Sequence, residues 1–118
     1  MLLIQTHLLK NQMIKVLIKK RQSNILSIKV TGHANSAEYG RDLVCAGVST
    51  VGIGILNTLD KKGYLTSSID YEMNEGFMNI EVTDWNKEIQ LILETFEISL
   101  MTIEESYPDY IKIRRMEE

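Results

Sequence analysis

The stretch Gly32-His33-Ala34-Asn35-Ser36-Ala37-Glu38-Tyr39-Gly40-Arg41-Asp42-Leu43-Val44-Cys45-Ala46-Gly47-Val48-Ser49 sets the reading of the whole chain. It holds the only cysteine and one of the two histidines, twelve positions apart. Downstream of Asp42 the apolar residues fall at helical spacing, so Asp42 reads as an N-cap and Cys45 as a first-turn residue. Unpaired N–H groups and the helix dipole at that place favour an anion, a thiolate included. A histidine presented by the preceding loop then suits the role of partner base to a cysteine nucleophile. The ordinary alternative for an isolated pair is an inert core thiol beside a turn histidine.

Upstream, Ile14, Val16 and Ile18 alternate with Lys15, Leu17 and Lys19, the period of a strand with one buried face. Gln22-Ser23-Asn24 supplies a turn, and Ile25 to Thr31 a second strand with Ile28 and Val30 inward. Gly32-His33 follows directly, which puts the imidazole at a sheet edge beside a loop. Downstream, Val44, Val48, Val51, Ile55 and Leu59 stripe a helix running from Leu43 to Lys61. Gly47, Gly52 and Gly54 each cost it roughly 1 kcal/mol against Ala, and close packing is the reason expected. A phosphate-binding loop is excluded: there is no GxxxxGK[ST] and no GxGxxG after a strand.

Gly63 ends this helix, and a third strand over Ser68 to Met73 leads through Asn74-Glu75-Gly76 into a fourth over Phe77 to Thr83. Asp84 or Asn86 caps a second helix that runs to the region of Tyr107. Its stripe is Ile89, Leu93, Phe96, Leu100, Ile103 and Tyr107. Leu91, Ile92, Ile98 and Met101 widen its apolar surface beyond one face, which predicts a homodimer. Pro108 stops the helix, Tyr110 to Ile113 forms a short final strand, and Arg114 to Glu118 reads as a frayed polar end. The order is ββαββα plus a C-terminal strand. The expected class is α+β, two layers, with a mainly antiparallel sheet carrying two helices on one face.

A chain of 118 residues with 44% hydrophobic and 25% charged composition reads as one soluble domain. That domain is expected over residues 13–118, with 1–12 as an extension or disordered tail outside the strand pattern. Residues 1–12 lack a basic leader, a cleavage site and the length of a membrane span, so neither secretion nor a membrane role is expected. His7 in this segment reads as a solvated side chain. A net charge of −3 argues against direct nucleic acid binding. One cysteine excludes an intrachain disulfide and fits a reducing cytoplasm. Two separated histidines leave no metal motif, and no cofactor is expected.

Peptide hydrolysis by a thiolate needs a nucleophile, a proton donor for the leaving amine and donors for the oxyanion. Cys45 and His33 fit the first two, and the N–H groups of Leu43 to Ala46 are the candidates for the third. Asp42 caps the helix or orients the imidazole. Ser49, one turn past Cys45, hydrogen-bonds in the site or packs as a small helix residue. The Ala34 to Arg41 loop, with Gly32 and Gly40 toward its ends, is able to move, and its charges Glu38 and Arg41 are solvated or meet substrate.

The stretch resembles the signature of the ribosomal-processing cysteine proteases of the Prp family. Gly32, His33, Gly40, Asp42, Leu43, Val44, Cys45, Ala46 and Ser49 carry the likeness, which runs from Met13 to the C-terminus. The resemblance implies a His33/Cys45 dyad in a dimeric protease. It also implies a loop that rearranges around the substrate. The implied substrate is the precursor of a large-subunit ribosomal protein, number twenty-seven, whose N-terminal extension is removed by a cut after an aromatic residue. A noncatalytic peptide-binding module of ribosome assembly, and another thiol enzyme such as an acyl transferase, are the competing readings.

Overall fold

The computed structural model describes residues 13–32 and 39–118, the first three of the latter by backbone alone. The expectations for the 1–12 segment, His7, His33 and Glu38 lie outside the described residues. Strands β1 (Ile14–Arg21) and β2 (Asn24–Thr31) form a hairpin, followed by helix α1 (Tyr39–Lys61) and a 3₁₀ turn (Tyr64–Thr66). Strands β3 (Ile69–Asn74) and β4 (Phe77–Val82), helix α2 (Lys87–Ser106) and strand β5 (Ile111–Glu117) complete the order. The sheet runs β3-β4-β2-β1-β5, antiparallel throughout except where β5 lies parallel to β1. This is the α+β arrangement expected from the sequence.

Alternation decides which face the helices cover. Ile14, Val16, Ile18, Ile28, Val30, Met78 and Ile80 are buried on one side of the sheet, while Lys15, Lys29 and Glu81 are exposed on the other. The buried side meets Val44, Val48, Ile55, Leu56 and Leu59 of α1 and Ile89, Leu93, Phe96 and Leu100 of α2 in one core. Residues Asp42–Lys61 are long and apolar enough to cross a membrane by length and composition. Here those same residues bury their stripe against the sheet and α2.

Asn86 is the cap of α2: its Oδ1 accepts from the N–H groups of Glu88 at 2.8 Å and Ile89 at 3.3 Å. A β-bulge shifts the β1–β2 register after Lys19. It lets Ile25 and Ile28, three apart, both face inward where strict alternation would expose one of them. From α2, Gln90 reaches the bulge, accepting from the Ile25 N–H at 2.7 Å and donating to the Ile25 carbonyl at 2.9 Å.

Arg114 to Glu118 is not a frayed end. Leu17, Ile18 and Lys19 of β1 pair with Arg114, Arg115 and Met116, and the Glu118 N–H reaches the Lys20 carbonyl at 2.8 Å. Arg115 faces the helices and donates to Glu97 of α2 at 2.7 Å; Lys20 meets the same carboxylate at 2.9 Å. Glu97 is only 5% exposed. Burial alone pushes its carboxyl up, but the hydrogen bonds from Lys20 and Arg115 outweigh this and hold it below the usual range.

The three helix glycines do not share one reason. A Cβ on Gly52 would lie 3.1 Å from the sulfur of Met78 and still closer to its Cε, so this position does serve close helix–sheet contact. Gly47 has only an ordinary contact to Ile103, and Gly54 faces open space. Packing therefore accounts for Gly52 and not for Gly54.

Candidate active site

Cys45 sits where α1 crosses the end of the sheet at which β1 begins and β2 stops. The residue is partly exposed and lines a groove of about 500 Å³. Val48, Ser49 and Ile53 continue the same helix face along one wall. The tip of the β3–β4 hairpin, from Met73 to Met78, forms the other wall, and Ile14, Val30 and Gly32 close the end. Ser49 thus shares the groove with Cys45, one turn further along.

Gly32 is the residue at which β2 leaves the sheet, with φ +128. A Cβ there would meet the Ile14 Cα at 2.8 Å and the Met13 carbonyl oxygen at 2.9 Å, so only glycine fits without moving backbone. Its N–H donates to the Gly76 carbonyl at 3.1 Å, tying the strand exit to the hairpin tip across the groove.

Helix α1 starts earlier than the sequence suggests, and this changes three expectations. Asp42 lies inside the first turn rather than at the N-cap, where its carboxylate complements the dipole without capping. Gly40 and Arg41 belong to the helix, so Gly40 is not the far end of a loop. Cys45 falls in the second turn, and the N–H groups of Leu43 to Ala46 point along the i→i−4 ladder toward the carbonyls of residues 39–42. They are not available to an oxyanion while the helix is intact. The dipole, concentrated in the first turn, also reaches Cys45 weakened.

The groove's second wall is not legible as such in the sequence. Asn74-Glu75-Gly76 reads as a turn, but only the pairing of β4 with β2 brings it to Cys45. Among the described residues no group of three or more His, Cys, Asp or Glu is placed to hold a metal ion.

The sequence model of the family described as cysteine protease Prp matches residues 13–112. The chain belongs to the Prp family of cysteine proteases. Its relatives include the ribosomal processing cysteine protease Prp of Staphylococcus aureus, 39% identical over 93 residues that cover 78% of this chain and 88% of the relative. The Bacillus subtilis protein of the same description is 35% identical over 107 residues, covering 86% and 96%. A solved structure of the S. aureus Prp with a substrate peptide matches with a TM-score of 0.77 and 37% identity, covering 88% of this chain and 100% of that one. Another, with a covalently linked product peptide, matches with a TM-score of 0.73 and 39% identity over the same shares.

Proposed function

We propose that this protein is the endopeptidase that removes the N-terminal extension from the large-subunit ribosomal protein number twenty-seven, supporting ribosome maturation. The observation that carries the reading is the placement of Cys45, the chain's only thiol, on the wall of an open groove. The S. aureus relative solved with a substrate peptide and with a covalently linked product peptide supports it. The Cys45 thiolate attacks the scissile carbonyl carbon, forming the C–S bond. His33, having taken the thiol proton, gives it to the leaving amine as the C–N bond breaks. Water then hydrolyses the thioester and regenerates the thiol. Ser49 lies within the groove and suits a hydrogen bond to the bound peptide; Asp42, in the first turn, takes the role of orienting the His33 imidazole.

The reaction is assigned to the cytoplasm and to a homodimer. Leu91, Ile98 and Met101 stand exposed on α2, and their apolar surface is the support for self-association. Sedimentation at micromolar concentration should show a species of twice 13.5 kDa; a lone 13.5 kDa species contradicts the dimer. The function itself is tested by incubating the extended ribosomal precursor with the protein and reading the products by mass spectrometry. A single cut after an aromatic residue of the extension is expected, and an untouched precursor refutes the reading.

A further inference from the structure

We propose that the substrate segment binds as an extended strand added to the outer edge of β3, its main chain paired with Tyr71 and Met73. The inference rests on the protease reading and adds how the peptide is held.

The two outer strands of the sheet are β3 and β5. Asn74 and Phe77 flank a two-residue turn, so they exchange both main-chain hydrogen bonds. Alternation from that pair places Glu72 opposite Asn79 and Asp70 opposite Glu81 in the same bonded class. Tyr71 and Met73 fall between, with N–H and C=O directed away from β4 to the free edge. Among the described residues these outward groups have no partner. On β5, by contrast, the N–H of Ile113 is taken by the Glu104 carboxylate at 2.8 Å. Its neighbours Lys112 and Arg114 add charge to that edge, a common way of discouraging strand addition. β3 carries neither proline nor lysine; its two charges, Asp70 and Glu72, occupy the positions bonded to β4 rather than the open ones.

The open edge leads into the groove. Met73 and Tyr71 point to the helix side of the sheet, 39% and 51% exposed, and Met73 shares the groove with Cys45. Along α1, Cys45, Ser49 and Ile53 follow at four-residue steps beside it. A peptide added to β3 would have alternate side chains turned toward that helix face and its scissile bond carried to the Cys45 end.

The test uses the full-length protein and fluorescent peptides spanning the scissile bond of the precursor, each with one N-methylated amide. Affinity is measured by fluorescence polarisation on Cys45→Ala and KM on the wild type. Methylation at alternate positions should weaken binding about tenfold, with little change between them, as expected when every second N–H pairs with the edge. Tyr71→Pro and Met73→Pro remove the outward N–H together with the side chain, so each is read against Tyr71→Ala or Met73→Ala, which keep the N–H; the proline variants should raise KM several-fold above their alanine counterparts with little change in kcat. A response without a two-residue period, or folded proline variants with the KM of their alanine counterparts, overturns the proposal. The peptide series needs no altered β3, so if a proline variant misfolds the N-methyl pattern decides alone. Periodic binding without any cleavage supports the edge and refutes the protease reading instead.

Discussion

At one end of the sheet Glu97 gathers Lys20 and Arg115, and Gln90 satisfies the backbone of Ile25. At the other end Cys45, Ser49 and Gly32 face an open groove whose wall is the tip of a hairpin. The same two layers build both ends. Where long polar side chains from α2 reach the strands, the gap between the layers is bridged by charge. Where α1 offers small and apolar residues instead, the gap stays open to a ligand. A chain held firmly at one end can leave the other accessible without losing its fold.

Substitutions at the two ends should therefore act on different observables. His33→Ala should lower turnover by about 10²–10⁴ and leave the melting temperature in place. The proposed dyad acts as one unit, so adding Cys45→Ala to His33→Ala should cost nothing more. Steady-state rates and thermal melts on the same samples check this; a large loss of stability would place His33 in the structure rather than the chemistry. Glu97→Ala should do the reverse. Stranding two cations beside the core should cost about 2 kcal/mol, read as a lower urea midpoint, with kcat/KM near wild type.

The pH dependence sharpens the contrast. The carboxyl of Glu97 is held below its ordinary value in the folded chain, so its protonated form favours the unfolded state. Its contribution is complete above the unfolded carboxylate range and is lost as pH falls through the lower folded value. The stability gap between wild type and Glu97→Gln should thus be widest near neutrality and narrow toward pH 3, about the lower limit of the carboxylate range. A gap that stays constant in urea titrations over that range would deny Glu97 this role. The smallest effect belongs to α1 between the two ends. Gly54→Ala enters open space and should stabilise by about 0.5–1 kcal/mol, whereas Gly52→Ala must displace the end of Met78 and should gain little. Equal gains in thermal melts would show that Met78 yields without cost.

What the sequence discloses follows the range of each interaction. The stripe of α2 and the alternation of β1 are local periods, and they place Ile89, Leu93, Phe96 and Leu100, and Ile14, Val16 and Ile18, in the core. The start of α1 escapes because Tyr39-Gly40-Arg41 offers no apolar repeat, a glycine reads as loop, and Asp42 is a favoured cap residue. The polar tail of β5 escapes because its partners, Lys20 and Glu97, lie far off in the chain. The same holds for the groove. Cys45 stands out by its helix and neighbours, whereas Met73 and Phe77 become groove walls only through β4–β2 pairing.

Cys45 as the nucleophile of the open end is the role on which the proposed function stands. The most direct measurement is the cleavage of the extended ribosomal precursor by Cys45→Ala, followed by mass spectrometry beside the wild type. The variant should be folded, with an unchanged melting temperature, and should leave the precursor intact while the wild type trims it. Trimming by Cys45→Ala at the wild-type rate would contradict that role.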